Sequence, residues 1–153
     1  MRFNGGTPSF EDFSRRAWDS VLAQWIVCRS RTDQPIGIVV LASPDFVAGH
    51  GFFTFLGLPE VVNTGLMIDA AAASLDLIFE TWPFRMIYAE ASESSAPAFS
   101  SAIGRFFEIE GIRRRANFRN GEFEDIYHLT LWREVWETEG RRLRSRLLRT
   151  ISG

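Results

Sequence analysis

The stretch from Gly51 to Trp82, GFFTFLGLPEVVNTGLMIDAAAASLDLIFETW, limits the possible folds of this chain more than any other. It opens as an aromatic, apolar run with strand character and turns through Pro59-Glu60-Val61-Val62-Asn63-Thr64-Gly65. It continues with apolar residues at close to 3.6-residue spacing, which predicts a helix over 64–81. Pro83 breaks that helix, and Arg85 to Glu90 supplies another strand, so a crossover unit pairs 51–58 in parallel with 85–90. A helix start offers unpartnered N–H groups at the positive end of a dipole, where a phosphate can rest without a basic side chain. The loop 59–65 is therefore the candidate ligand site. An ordinary strand-to-helix connection explains the same residues with no ligand, because one glycine in such a loop is a weak signal.

The rest of the chain supplies the partners of this unit. Residues Met1 to Gly6 are expected to be disordered, and Ser9 and Asp12 stand at capping-box spacing. The apolar positions Phe10, Phe13, Ala17, Val21 and Leu22 then predict a helix reaching about Ala23. Trp25 to Arg29 and Ile36 to Leu41 read as a hairpin about Arg31–Pro35, Ser43-Pro44-Asp45 as a turn, and 51–58 as the third strand of an antiparallel set. Beyond the crossover, Ser94 or Ser95 caps a predicted helix from Pro97 to Ile109, with Phe99, Ile103, Phe106 and Phe107 on its buried side. Asn120-Gly121, between Ile112–Phe118 and Phe123–Trp132, is the strongest short hairpin signal in the chain. Arg133 to Glu139 then leaves the sheet. The order of elements implies a mixed sheet with helices on its faces, an α/β or α+β domain.

Several classes are disfavoured. A length of 153 residues, 46% hydrophobic and 24% charged, fits one globular domain with a sizeable core. The apolar runs are too short or too interrupted to cross a bilayer and the N-terminus lacks a signal-peptide pattern, so no membrane role and a cytoplasmic location are expected. Cys28 is single and lies in Trp25-Ile26-Val27-Cys28, where a small buried hydrophobe fits. His50 and His128 have no cysteine or spaced histidine beside them, so no metal site is expected; His50 reads as a turn or surface residue. Tyr127 and His128 alternate on opposite faces of their strand, and the pattern does not say which faces solvent. Every basic residue is arginine, and 140–153 carries Arg141, Arg142, Arg144, Arg146 and Arg149 with no acid. With Leu143, Leu147, Leu148 and Ile151 this tail suits a short amphipathic helix. It is a solvated face, or a surface for RNA or an acidic protein.

Leu58-Pro59-Glu60, Gly65 ahead of a helix, Phe79-Glu80-Thr81-Trp82-Pro83-Phe84-Arg85 entering a strand, Phe106-Phe107-Glu108-Ile109-Glu110-Gly111, and an Asn-Gly hairpin running from Asp125 to Trp136 together resemble the GNAT superfamily. The branch with the ribosomal-protein N-terminal acetylases is the most similar. The resemblance covers roughly 25–136 and implies an N-acyltransferase that uses acetyl-CoA or another acyl-CoA and in which two central parallel strands splay apart. By this resemblance the pantetheine arm meets Phe55, Leu56, Gly57 and Leu58, and the pyrophosphate meets Val61, Val62, Asn63, Thr64 and Gly65. Amine acylation also needs a base and a proton source: Glu90, ending the strand beside the cleft, is the candidate base, directly or through water, or else a solvated strand-end carboxylate, and Ser95 bonds the cofactor, protonates the leaving thiolate, or only caps its helix.

The chain also departs from the family pattern. Glu60 and Asn63 stand where a basic or Gln residue and a glycine are usual, and the second helix contact falls at Ala98. Residues 1–139 make one domain without the family's first strand and helix, and 140–153 make the tail. Missing those elements, the sheet edge near Trp25–Arg29 is expected to pair with a second copy or a partner chain. These departures keep two alternatives open: a non-catalytic CoA-binding or partner-binding module, and an RNA or acidic-protein binder acting through the tail.

Overall fold

The structure, a computed structural model, describes residues 8–61 and 64–140. The predicted disorder of 1–6, the helical tail 141–153, and the site residues Val62 and Asn63 lie outside the described residues. Helix α1 (Phe10–Arg16) is followed by strands β1 (Val21–Cys28), β2 (Pro35–Asp45) and β3 (His50–Gly57), helix α2 (Leu66–Thr81) and strand β4 (Met86–Ser92). Strands β5 (Glu108–Arg119) and β6 (Glu122–Trp132) complete a six-stranded sheet in the order β1-β2-β3-β4-β6-β5. Only β3 and β4 pair in parallel; every other neighbouring pair is antiparallel.

The expected crossover forms because α2 buries Ala71, Ala72, Leu75, Ile78 and Phe79 against Val39, Leu41, Phe53, Ile87 and Leu131 of four strands. Alternation puts Phe52, Tyr88, Glu90, His128 and Thr130 on the opposite face. Asn120 and Gly121 take positive φ of 53° and 88°, the mirror-image turn that their dipeptide predicts, and join β5 to β6. Arg133 and the residues after it leave the sheet as a helical turn (Arg133–Val135) and a π-type turn (Trp136–Gly140) that returns Trp136 to the core.

Three predicted elements differ from the structure. The first helix ends at Arg16 instead of near Ala23. Val21 to Ala23 join β1 because the ladder to β2, from Val21↔Ala42 to Cys28↔Pro35, satisfies their backbones and packs the half-buried Trp25 and Val27 against the core. Ser9 does cap the helix, accepting from the Asp12 amide at 3.1 Å, yet Phe10 and Phe13 stay exposed. Ser43-Pro44-Asp45 is not the turn: β2 runs through it by a bulge with Ser43 at φ 48°. The chain reverses over 46–49, where the Asp45 carboxylate accepts from the amides of Val47 and Ala48. His50 accordingly lies in β3, not in a turn.

The predicted helix 97–109 is the third difference. A single 3-10 turn (Ala96–Phe99) forms, Gly104 takes φ 82°, and Glu108 already belongs to β5. The rings of Phe99 and Phe106 meet Phe55 and Trp136 respectively, and pairing with β6 satisfies residues 108 onward better than a helix with no second face to bury. Ser95 makes no capping bond. Cys28 is exposed on β1, contrary to its predicted burial.

Asp125 holds the irregular middle of the β5/β6 ladder. Its carboxylate accepts from the Arg115 amide at 2.8 Å and the Arg114 guanidinium at 2.6 Å, where β5 bulges and Arg115 takes φ 50°. The backbone bond and then the Arg114 bond hold its pKa below the ordinary 3.8. A lowered folded-state value means that this stabilisation is complete above the unfolded pKa and is lost as pH falls through the folded one. Asp125→Asn is therefore expected to flatten the fall in melting temperature below about pH 4, the unfolded aspartate range, seen by calorimetry of both proteins across the acid range.

Candidate functional site

β3 and β4 stay together for only three rungs, His50↔Met86, Gly51↔Ile87 and Phe52↔Tyr88. Past Phe52, β3 pairs with β2 alone, through Val39↔Phe55, Ile38↔Leu56 and Gly37↔Gly57, while β4 follows β6 to Ser92. The sheet is therefore forked in the middle. Phe55, Leu56 and Gly57 lie along the β3 side of the fork, and Leu58, 41% exposed, follows at its end.

Two glycines let the α2 start come down onto this end of β3. Gly37 and Gly57 face each other in the ladder, and Met67 fills the space above both. Val61, 1% exposed, packs with Met67 and Ile36 and fixes the loop below α2. Gly65 is the N-cap at φ 82°, a conformation that suits glycine, and the space on its side-chain side is open for 4 Å. Not every expected amide faces outward. The amides of Leu58, Val61 and Thr64 donate to the carbonyls of Ile36, Leu58 and Val61, and the Thr64 hydroxyl lies 3.4 Å from the Leu66 amide that it caps. The Val61 and Thr64 bonds are 3-10 bonds within the loop, where a chain turning this tightly satisfies its donors locally, and the Leu58 bond continues the pairing with β2. Glu60 stands in the same turn and adds negative charge there.

Glu90 lies on β4 beyond the last parallel rung, on the face away from α2. Its Oε1 accepts from Arg113 of β5 at 3.1 Å and lies 3.4 Å from Nδ1 of His128, its register partner on β6. A cavity of about 370 Å³ opens beside it, lined by Phe52, Tyr88, Glu110, Gly111 and His128 among others. Glu110 is the extra residue of a bulge between Ile109↔Leu129 and Gly111↔His128, and such a bulge re-aims a side chain toward a site. His50 and Thr130 flank Tyr88, and the buried Nδ1 of His50 and Oγ1 of Thr130 have no hydrogen-bond partner among the described residues. Ser95 lies in the turn after β4. Its hydroxyl donates to the Ser92 carbonyl at 3.0 Å and sits 2.9 Å from the Ser92 hydroxyl.

The sequence singled out Glu90 but not its surroundings. Arg113 is one of three consecutive arginines, and nothing in that run says which one reaches across β6 to β4. His128 has its face fixed only by register with Glu90. Among the described residues no group of three or more His, Cys, Asp or Glu has a metal-binding arrangement, and no helix is long and apolar enough to cross a membrane.

A mostly antiparallel mixed sheet, forked between one parallel pair whose crossover helix starts at the mouth of the fork, is the GNAT fold. Solved structures of spermidine N-acetyltransferase SpeG from Vibrio cholerae share it. A mutant form superposes at TM-score 0.70 with 17% identity over 84% of this chain and 76% of that one. The manganese complex gives 0.69 with 19% identity over 86% and 75%, and the dodecameric form in an intermediate state gives 0.70 with 18% identity over 84% and 75%. No protein-family model matches the chain, and neither does any curated protein sequence.

Proposed function

We propose that this chain is an acyl-CoA-dependent N-acyltransferase that transfers an acetyl group to a primary amine. The observation that carries this reading is the fork. β3 from Phe53 to Gly57 has β2 on one side only, so its other side is open for an extended amide-bearing chain to pair like a strand, as a pantetheine arm would. The arm then runs along Phe55, Leu56, Gly57 and Leu58 toward Gly65. Because the amides of Val61 and Thr64 are engaged inside the loop, the diphosphate rests at the open side of Gly65 and on the first turn of α2, where the dipole favours it. Val62 and Asn63 complete the proposed loop contacts. In this reading residues 1–139 are the catalytic domain and the arginine-rich 140–153 a tail.

The cavity at the last parallel rung takes the amine, with the Glu110 carboxylate in its lining attracting a cationic acceptor. The sequence offers Glu90 as the carboxylate of the acid–base chemistry, and in this reading it stands at the cavity's edge. Ser95 acts on the departing thiolate only by releasing its bond to Ser92. Titration calorimetry with acetyl-CoA tests the reading. Binding in the micromolar range, followed by release of free CoA on adding spermidine or short peptides with a free N-terminus, is the expected result. No heat with millimolar acetyl-CoA would end it. Binding without CoA release from any amine would favour the non-catalytic module, for which the Glu60 and Asn63 departures speak.

We further propose a second copy of the chain as the partner of β1. The two edges of the sheet each carry two register irregularities but differ in charge: β5 carries Arg113, Arg114 and Arg115, which protect an edge, whereas β1, VLAQWIVC, is uncharged and leaves Ile26 71% exposed. Ile26→Lys is expected to shift the sedimentation coefficient from dimer to monomer without lowering the melting temperature of the monomer. A wild-type chain that sediments as a monomer at high micromolar concentration would exclude this partner.

A further inference from the structure

We propose that the His128 imidazole is the group that takes the proton from the incoming amine, and that Glu90 is its positioning residue and not itself the base. The inference rests on the acyltransfer reading above. The Oε1 of Glu90 is held by Arg113 at 3.1 Å, and the same oxygen lies 3.4 Å from Nδ1 of His128. A carboxylate facing Nδ1 favours the tautomer with the proton on that nitrogen, which leaves the lone pair on Nε2. His128 lines the cavity and is one-third exposed at its side chain, so this second nitrogen is within reach of a bound amine. Glu90 from β4 and Glu110 and Arg113 from β5 are the charged groups around the ring, with Tyr88 as the neighbouring phenol.

The step balances. The ammonium gives one proton to Nε2, and the freed amine forms a bond from nitrogen to the thioester carbonyl carbon. The carbon–sulfur bond breaks, and the proton released by the new amide nitrogen ends on the thiolate. The imidazolium returns its proton to water, so one ammonium and one thioester give one amide, one thiol and one proton.

The chain has only two histidines, which makes the ring nitrogens directly readable by ¹⁵N magnetic resonance, with His50→Gln assigning the pair. At alkaline pH the wild type is expected to show His128 protonated at Nδ1, and Glu90→Ala is expected to return it to the Nε2-protonated form that free imidazole prefers. His128→Gln should bind acetyl-CoA within about twofold of wild type but lose about 100-fold in kcat with the amine that the wild type accepts, since general-base catalysis supplies at least that much. It should also lose the acidic limb of the kcat/KM profile. An Nε2-protonated His128 in the wild type, a tautomer indifferent to Glu90→Ala, or full turnover by His128→Gln would each overturn the proposal. The tautomer results are independent of acetyl-CoA binding by the wild type, whose absence would instead defeat the acyltransfer reading.

Discussion

Replacing Gly37 with alanine is expected to cost about 3 kcal/mol, at the upper end of what overpacking usually costs, and to weaken acetyl-CoA binding at the same time. A Cβ built at Gly37 would lie 2.5 Å from the Leu56 carbonyl oxygen and 2.8 Å from the Met67 Cε and Sδ atoms. Met67 is able to swing aside, but the Leu56 oxygen belongs to the β3 backbone and cannot move without opening the β2/β3 ladder at its last rung, Gly37↔Gly57. That rung is where the proposed pantetheine track meets the start of α2. Gly57 provides the comparison: there the nearest atoms are Met67 Cγ at 2.7 Å and Val61 Cγ2 at 3.1 Å, both side chain. Gly57→Ala should therefore cost roughly 1 kcal/mol, near the lower end of the same range. Urea titrations of the two variants check the order, and equal midpoints would show that the Leu56 backbone gives way easily.

Arg133→Met is expected to cost about 3 kcal/mol, the value of one strong charge-assisted bond plus the desolvation of groups left unpaired. The Arg133 guanidinium donates to three carbonyls, Phe84 at 2.6 Å through Nε, Phe79 at 2.8 Å through Nη1 and Trp82 at 2.7 Å through Nη2, and lies over the Phe79 ring at 4.9 Å. It thereby collects the end of α2 and the turn through Pro83 that starts β4. The α2 terminus has no basic residue of its own in its last turn, so Arg133, a distant residue in sequence, supplies the charge that its dipole lacks. Arg133→Lys should recover less than half of the loss, because an ammonium cannot span three carbonyls with a planar fork. A denaturation midpoint for Arg133→Lys equal to wild type would mean that the charge alone matters.

The crossover around Gly51–Trp82 was legible because its signals are local and agree with one another: a strand-like run, a glycine loop, a 3.6 period and a terminating proline. The Asn120-Gly121 hairpin was legible for the same reason. The helices predicted over 9–23 and 97–109 failed where the local period competed with a strand partner far away in the chain. Val21 to Ala23 found β2, and Glu108 and Ile109 found β6. Cys28 was misjudged because an edge strand has one open side, and a sequence does not show which strand lies last in a sheet. Of the candidate site, Glu90 was readable as a carboxylate on the second parallel strand, although β4 does not end there and runs on to Ser92. Its contacts to Arg113 and His128 were not, since they depend on a register in which β6 lies between β4 and β5.

Taken by itself, the amino-acid order determined the parallel crossover, the glycine-bearing loop and the Asn120-Gly121 hairpin, because backbone preference and hydrophobic period act over a few residues. Tertiary structure alone decided where β3 and β4 part, which loop amides are already engaged, and that His128 meets Glu90. Those facts arise when hydrogen-bond ladders between distant segments compete for the same backbone groups, a competition settled only once all six strands are in place.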